Sequence, residues 1–258
     1  MAHLSTYAAN VRVAIRTSLM DRTNFALNAG GMVVNDVFFL LLWYMFFAGF
    51  RQVGGWRLAD VALLLGLIML VVGISGVFFG GYRDMAATIL RGELDALLTQ
   101  PKTVLARLLA RESIATAWGD LVMGVWLVAS FAGVGWRDVP SLTLGVACGT
   151  TVYVASSVVY ASFAFWFSGA RSFARDLTDF MLLFCSYPGS IFSGATKVIA
   201  YTILPAGFVV LTPVAFLRGP SLEILSILAA SALGYGTLAV ACFYAGLARY
   251  RRGLVPTA

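Results

Sequence analysis

The sequence predicts an all-α integral membrane protein. It should have six transmembrane helices, an N-terminal interfacial amphipathic helix, a short amphipathic helix in a cytoplasmic loop and a re-entrant helical hairpin before the last span. Three observations carry that prediction. Of 258 residues, 60% are apolar (AVILMFWYC) and 12% are charged, whereas a soluble domain is about half apolar and about a quarter charged. The mean hydropathy is +0.87. Uncharged stretches long enough to cross a bilayer recur along the chain. This composition excludes a soluble enzyme, a disulfide scaffold and a disordered chain.

Residues 1–30 lack the apolar block of a signal peptide. Leu4, Tyr7, Val11, Ile15 and Leu19 instead recur at helical spacing, with Asn10, Arg12, Arg16 and Asp21 mostly off that stripe. This pattern suits a helix over about 1–27 lying in the membrane interface; an ordinary cytoplasmic helix is the alternative.

A crossing helix needs about 20 mostly apolar residues. The candidates are 30–50, 61–82, 113–136 (with one acid, Asp120), a stretch within 139–170, about 177–196, and 224–248. Residues 198–217 are also uncharged, but Pro205 and Pro213 interrupt them and Pro188 lies just upstream. Proline removes a backbone donor and clashes with the preceding turn, so a re-entrant hairpin is expected there and a seventh crossing is the alternative. With the N-terminus inside, thirteen of the 18 Lys and Arg residues fall in cytoplasmic pieces and five, Arg51 among them, fall outside. The positive-inside bias therefore places both termini in the cytoplasm. It also accounts for the net charge of +6 without a nucleic-acid partner. Cys148, Cys185 and Cys242 are scattered through apolar stretches, and His3 is the only histidine; no metal or thiol site is expected.

The longest polar interruption is 83–112, on the cytoplasmic side between the second and third spans. Gly92 and Pro101 punctuate it, leaving 93–100 to form about two helical turns. Leu94, Leu97 and Leu98 would share one face, with Glu93 and Asp95 at the positive end of the helix dipole. Beyond Pro101, Val104, Leu105, Leu108 and Leu109 repeat the apolar stripe, with Lys102, Arg107 and Arg111 off it. Such a helix either rests on the membrane or docks its apolar ridge into a groove of a soluble partner.

The run from Ile89 to Pro101, ILRGELDALLTQP, resembles the I-R-x-G-E-L-D-x-L-L-x-x-P segment of the ABC type-2 permease family, and of a bacterial branch of small six-span permeases in particular. A second stretch, Tyr187-Pro188-Gly189-Ser190-Ile191-Phe192-Ser193-Gly194 followed by Leu204-Pro205 and Thr212-Pro213, is similar to the segment before that branch's last span. The resemblance implies one permease domain over the whole chain, in a bacterial inner membrane. It would be paired with a second permease chain, identical or related, and driven by separate ABC ATPase subunits that hold the ATP and Mg. It further implies that 83–112 carries the coupling helix, with Arg91, Gly92, Glu93, Leu94, Asp95, Leu97, Leu98 and Pro101 as coupling residues. By the same resemblance 187–217, with Tyr187, Pro188, Ile191, Phe192, Pro205 and Pro213, forms the re-entrant outer segment. Gln100 departs from the pattern, because a basic residue is common at that position. The chain has no G-x-x-x-x-G-K-[ST] phosphate loop, so it is expected to be non-catalytic, with ATP hydrolysed elsewhere.

Intramembrane charges suggest function by default. Asp36, beside Asn35, and Asp120 are each read about two turns from the cytoplasmic end of their spans. They serve either structural pairing or the cytoplasmic gate. Gly76/Gly80 and Gly145/Gly149 are small-xxx-small pairs suited to close helix packing. Phe163, Phe165, Trp166 and Phe167 read as an interfacial aromatic belt. The cargo implied is amphipathic: a drug-like cation, a lipid or a lipid-linked glycan. An ion-coupled carrier or channel without an ATPase is the competing class, and it would require ionisable groups or broken helices at mid-depth.

Overall fold

The computed structural model describes residues 2–50, 52, 55–99, 103–131 and 133–253, with the side chains of 2–5 excepted. Arg51, Gln100, Pro101 and Lys102 therefore lie outside the described residues, as do the side chains of His3 and Leu4. All regular structure among the described residues is helical. Four helices are long and apolar enough to cross a membrane: Arg22–Gly49, Leu58–Leu90, Trp136–Phe165 and Leu222–Tyr250. Ala115–Phe131 and Gly207–Arg218 are shorter apolar helices.

Helix α1 (Ala2–Ser18) ends well short of residue 27. The Asp21 side chain caps the next helix, α2 (Arg22–Gly49), by accepting the Asn24 amide at 3.0 Å, which satisfies one of its orphan donors. The buried side of α1 is Val11 and Ala14, and Tyr7 donates to the Phe78 carbonyl at 2.8 Å. Part of the stripe read as membrane-facing is thus spent on the protein itself.

Helix α3 (Leu58–Phe79) carries no charge after Asp60 and is apolar all round, the signature of a helix enclosed on every side. It packs against α7 (Ala115–Phe131), α8 (Val139–Ser162) and α2. Glycine permits the closest of these approaches. A Cβ at Gly76 would meet that of Ala117, and one at Gly124 would fall 2.9 Å from the Leu70 nitrogen. On α8, Gly149 faces the Val209 carbonyl and Gly145 faces Pro213. Both small-residue pairs are used for packing inside one chain.

Three short helices follow α3: α4 (Met85–Leu90), α5 (Asp95–Leu98) and α6 (Val104–Leu109). After α8 come α9 (Ala170–Cys185), α10 (Gly194–Tyr201), a π-turn over Gly207–Leu211, α11 (Thr212–Arg218) and α12 (Leu222–Tyr250). The fifth apolar stretch, expected at 177–196, is therefore displaced toward the N-terminus. The helix begins among the charged residues Arg171, Arg175 and Asp176, which hydropathy passes over, and it stops before Pro188.

Residues 198–217 do not form one crossing helix. Tyr160 donates to the Ile203 carbonyl, and the chain then turns through Leu204–Pro205 and runs back along α8 to Arg218. There the guanidinium pairs with Asp60 at 2.7 Å and lies over Trp56 at 4.4 Å. Pro205 stands just before the returning helix, where a missing amide proton costs least, whereas Pro213 falls inside that helix, where the π-turn Gly207–Leu211 gives way to α11. At the opposite end of the bundle, α1, the segment 83–112 and the end of α12 meet, since Tyr250 reaches Gly92. Both ends of the described chain therefore lie on one side of the fold.

Candidate functional site

The segment 83–112 folds as a braced cap and not as a free amphipathic helix. Only α5, a single turn, is helical between Gly92 and residue 99. Gly92 takes φ +72, a left-handed conformation open to glycine at little cost, and this reverses the chain after α4. The Tyr250 hydroxyl donates to the Gly92 carbonyl at 3.0 Å. Glu93 accepts from Arg91 at 2.7 Å and from Arg111 at 3.1 Å, and the Arg107 guanidinium donates to the Leu97 carbonyl at 2.9 Å. Below the cap, Gly81 lies directly under the Leu108 carbonyl oxygen. The loop is thereby pinned to α3 through α6 and to α12 through Tyr250.

The three leucines do not form one outward ridge. Leu94 is fully buried in the chain's own core, whereas Leu97 and Leu98 are half-buried against it. The surface offered outward is Arg91, Asp95, Ala96 and Thr99. Nor do Val104, Leu105 and Leu108 face lipid or a partner, because they are buried beneath the cap. An apolar stripe reads the same whether its groove belongs to a partner or to the chain itself.

The two arginines hold the Glu93 carboxyl below its ordinary value of 4.5, the Arg91 hydrogen bond first and that of Arg111 second. A carboxyl depressed in the folded state contributes stability that is complete above the unfolded value and is lost as pH falls through the folded one. Hydrogen exchange of 91–99, corrected for intrinsic rate, should therefore stay flat between about pH 7 and about pH 5 and rise only below about pH 4. Tyr250→Phe should raise exchange in the same segment by a few-fold, for a lost bond of about 1 kcal/mol, and leave the rest of the bundle unchanged.

Among the predicted membrane polar residues, Asp36 and Asp120 are both buried. Because α2 begins at Arg22, Asp36 lies about four turns into its helix, near the middle and not two turns from the end. Gly119, next to Asp120 in the chain, brings α7 onto α2 at Ala29 and Met32. One Asp36 carboxylate oxygen has no hydrogen-bond partner among the described residues, while Asn35 is exposed. Asp120 lines a cavity of about 620 Å³ between α3, α7, α8 and α9. A second, more open groove of about 790 Å³ runs between α1, the start of α2 and the cap.

In the re-entrant segment, Tyr187 stacks edge-on to Trp43 at 6.2 Å and Phe192 lies flat on Phe184 at 5.1 Å. Pro188 is buried and Ile191 is exposed. Phe165, read as part of an aromatic belt, is fully buried over Gly246 and Phe243, whereas Phe163, Trp166 and Phe167 are exposed.

With this architecture in view, the comparison with known families is decisive: residues 33–253 match the family described as ABC-2 family transporter protein. The chain belongs to that family. The matched stretch takes in the cap, the re-entrant segment, α2 from residue 33 onward and every helix from α3 to α12. No curated protein and no solved structure matches the chain. An ABC-2 protein of this kind is the membrane permease component of a transporter, typically the non-catalytic transmembrane subunit, and family membership implies a partnering ATPase. Sequence reasoning missed the charged face of α9, Arg171, Arg175 and Asp179, which lines the cavity beside Asp120. Their i, i+4, i+8 spacing was the available signal.

Proposed function

We propose that this ABC-2 permease is one membrane half of an ATP-driven exporter, with both termini and the cap in the cytoplasm of a bacterial cell. Six crossings complete the topology when α7 and α9 are counted. Their 17 and 16 residues rise about 25 Å each, close to the thickness of the hydrocarbon core. The cap seats in a cleft of the ATPase through its outward edge, Arg91, Asp95, Ala96 and Thr99, while Leu94, Leu97 and Leu98 hold it to the bundle. ATP and Mg belong to the partner.

The observation that carries this reading is the bracing of the cap. A loop tied to α12 by Tyr250–Gly92 and to α3 through α6 passes a displacement to two separate parts of the bundle, whereas a floppy linker would absorb it. Closure of the ATPase dimer on ATP would move the cap as a rigid body and bias the spans between inward- and outward-facing states. A second permease chain, identical or related, would cover the exposed apolar side of α2, where Phe38, Leu42 and Met45 stand free. Charges on a spanning helix need water or a partner, so the charged face of α9 belongs on the export path. The cargo is amphipathic.

The test is purification in mild detergent. A separate ATPase should co-elute, and reconstituted vesicles should move an amphipathic dye only with ATP. A permease that elutes alone and passes the dye or ions without ATP would be a carrier or channel.

A further inference from the structure

The cavity of about 620 Å³ lies within the size range of small-molecule sites and has an unusual wall. Arg83, Arg171 and Arg175 line it together with Asp84, Asp120 and Asp179. None of the six takes part in an ion pair within 4 Å or in a side-chain hydrogen bond among the described residues. The wall thus carries three charges of each sign with no partner of their own, Asp120 buried at its floor and the other five exposed at its rim. A purely cationic ligand would leave three guanidinium groups unanswered, and a purely anionic one would leave three carboxylates.

The two signs are also separated along α9. Arg171, Arg175 and Asp179 follow at four-residue intervals, so Asp179 stands about 12 Å of helix rise beyond Arg171 and about 6 Å beyond Arg175. Asp120 enters the same space from α7. The buried Tyr82 and Tyr153 form one wall, edge-to-face at 5.6 Å with their hydroxyls 3.3 Å apart, a surface suited to an ammonium group. Phe173, Phe180 and Leu183 are exposed on the same helix, leaving an apolar flank for hydrocarbon.

We propose that this cavity binds the zwitterionic head of an amphiphile, a phosphate held by Arg171 and Arg175 with an ammonium held by Asp120 and Asp179, the tails leaving along α9. Guanidinium is the preferred bidentate partner of phosphate. The assignment of this ligand as export cargo rests on the permease reading, whereas its chemistry rests on the cavity alone.

Calorimetric titration of the purified full-length protein tests it with three probes of equal tail length: dihexanoyl phosphatidylethanolamine, dihexanoyl phosphatidylglycerol and a dihexanoyl trimethylammonium lipid. The zwitterion should bind at least ten-fold more tightly than either singly charged probe. In Arg171→Ala/Arg175→Ala the preference should move to the cationic lipid, and in Asp120→Asn/Asp179→Asn to the anionic one. A variant that merely misfolds would lose all three probes, so Arg175→Lys, which retains the charge, should keep the zwitterion preference. Equal affinity for the three probes, or a preference that neither double variant moves, overturns the proposal. Equally tight binding of tail-less phosphoethanolamine overturns the amphiphile. Since no ATPase takes part, failure here leaves the exporter reading to its own co-elution test.

Discussion

Glu93→Lys is expected to abolish export at least ten-fold over while leaving membrane insertion and yield unchanged. The side chain joins Arg91 to Arg111 across the base of the cap, at 2.7 and 3.1 Å. A lysine there sets three cations against one another at the point where the chain reverses, and the cap loses its internal tie but not its anchor at Leu94. The pairs are solvent-exposed, so their worth to global stability is small. Their worth lies in rigidity, because a cap that yields when pushed transmits nothing. Hydrolysis by the partner should continue but cease to respond to cargo. Glu93→Gln, which keeps one acceptor and adds no charge, should fall between the two. Normal export in Glu93→Lys would remove the cap from the coupling path.

Gly81→Val should have the largest effect on folding. A Cβ at this position falls on the Leu108 carbonyl oxygen, with the Leu108 carbonyl carbon 2.8 Å away. These are backbone atoms of α6 and cannot swing aside as a side-chain tip would. Overpacking of this kind costs about 3 kcal/mol or more. Thermal unfolding in detergent should shift down by several degrees and membrane yield should drop. Gly234→Ala on α12, where an added Cβ meets no neighbouring element within 4 Å, should lower neither, which separates the effect of close approach from any general intolerance of glycine replacement.

Much of this architecture could be read before any coordinates. Gly92 was legible as a chain reversal because few other residues take its φ of +72 so readily. Pro188 and Pro205 were legible as breaks because proline rarely continues a helix, and they mark where the re-entrant segment departs from a straight span; Pro213 reads as a break too, but the helix runs through it at the end of the π-turn. Other features were hidden for identifiable reasons. In a membrane helix, lipid and protein core are equally apolar, so periodicity could not show that α3 is enclosed while most of α2 is exposed. Leu94 and Phe165 sit in apolar runs that suit a partner's groove or a membrane interface equally well; only the fold shows that each faces its own chain. The start of α9 was missed because a hydropathy reading discards charged residues, although Arg171, Arg175 and Asp179 lie on one side of the helix. The Asp36–Asp120 neighbourhood depends on Gly119 drawing two helices together, a contact that spacing within either helix does not encode.

The central claim is that the polar edge of the cap is gripped by an ATPase. Asp95 and Thr99 are exposed on that edge, and a cysteine at either position can carry a short thiol crosslinker without disturbing the Glu93 ties or the Leu94 anchor. In native membranes from cells expressing both proteins, Thr99→Cys should capture the ATPase subunit, and capture should change when ATP is added. Capture of lipid alone, or an ATPase found only on a control cysteine at Ser221, at the opposite end of the bundle, would contradict the account.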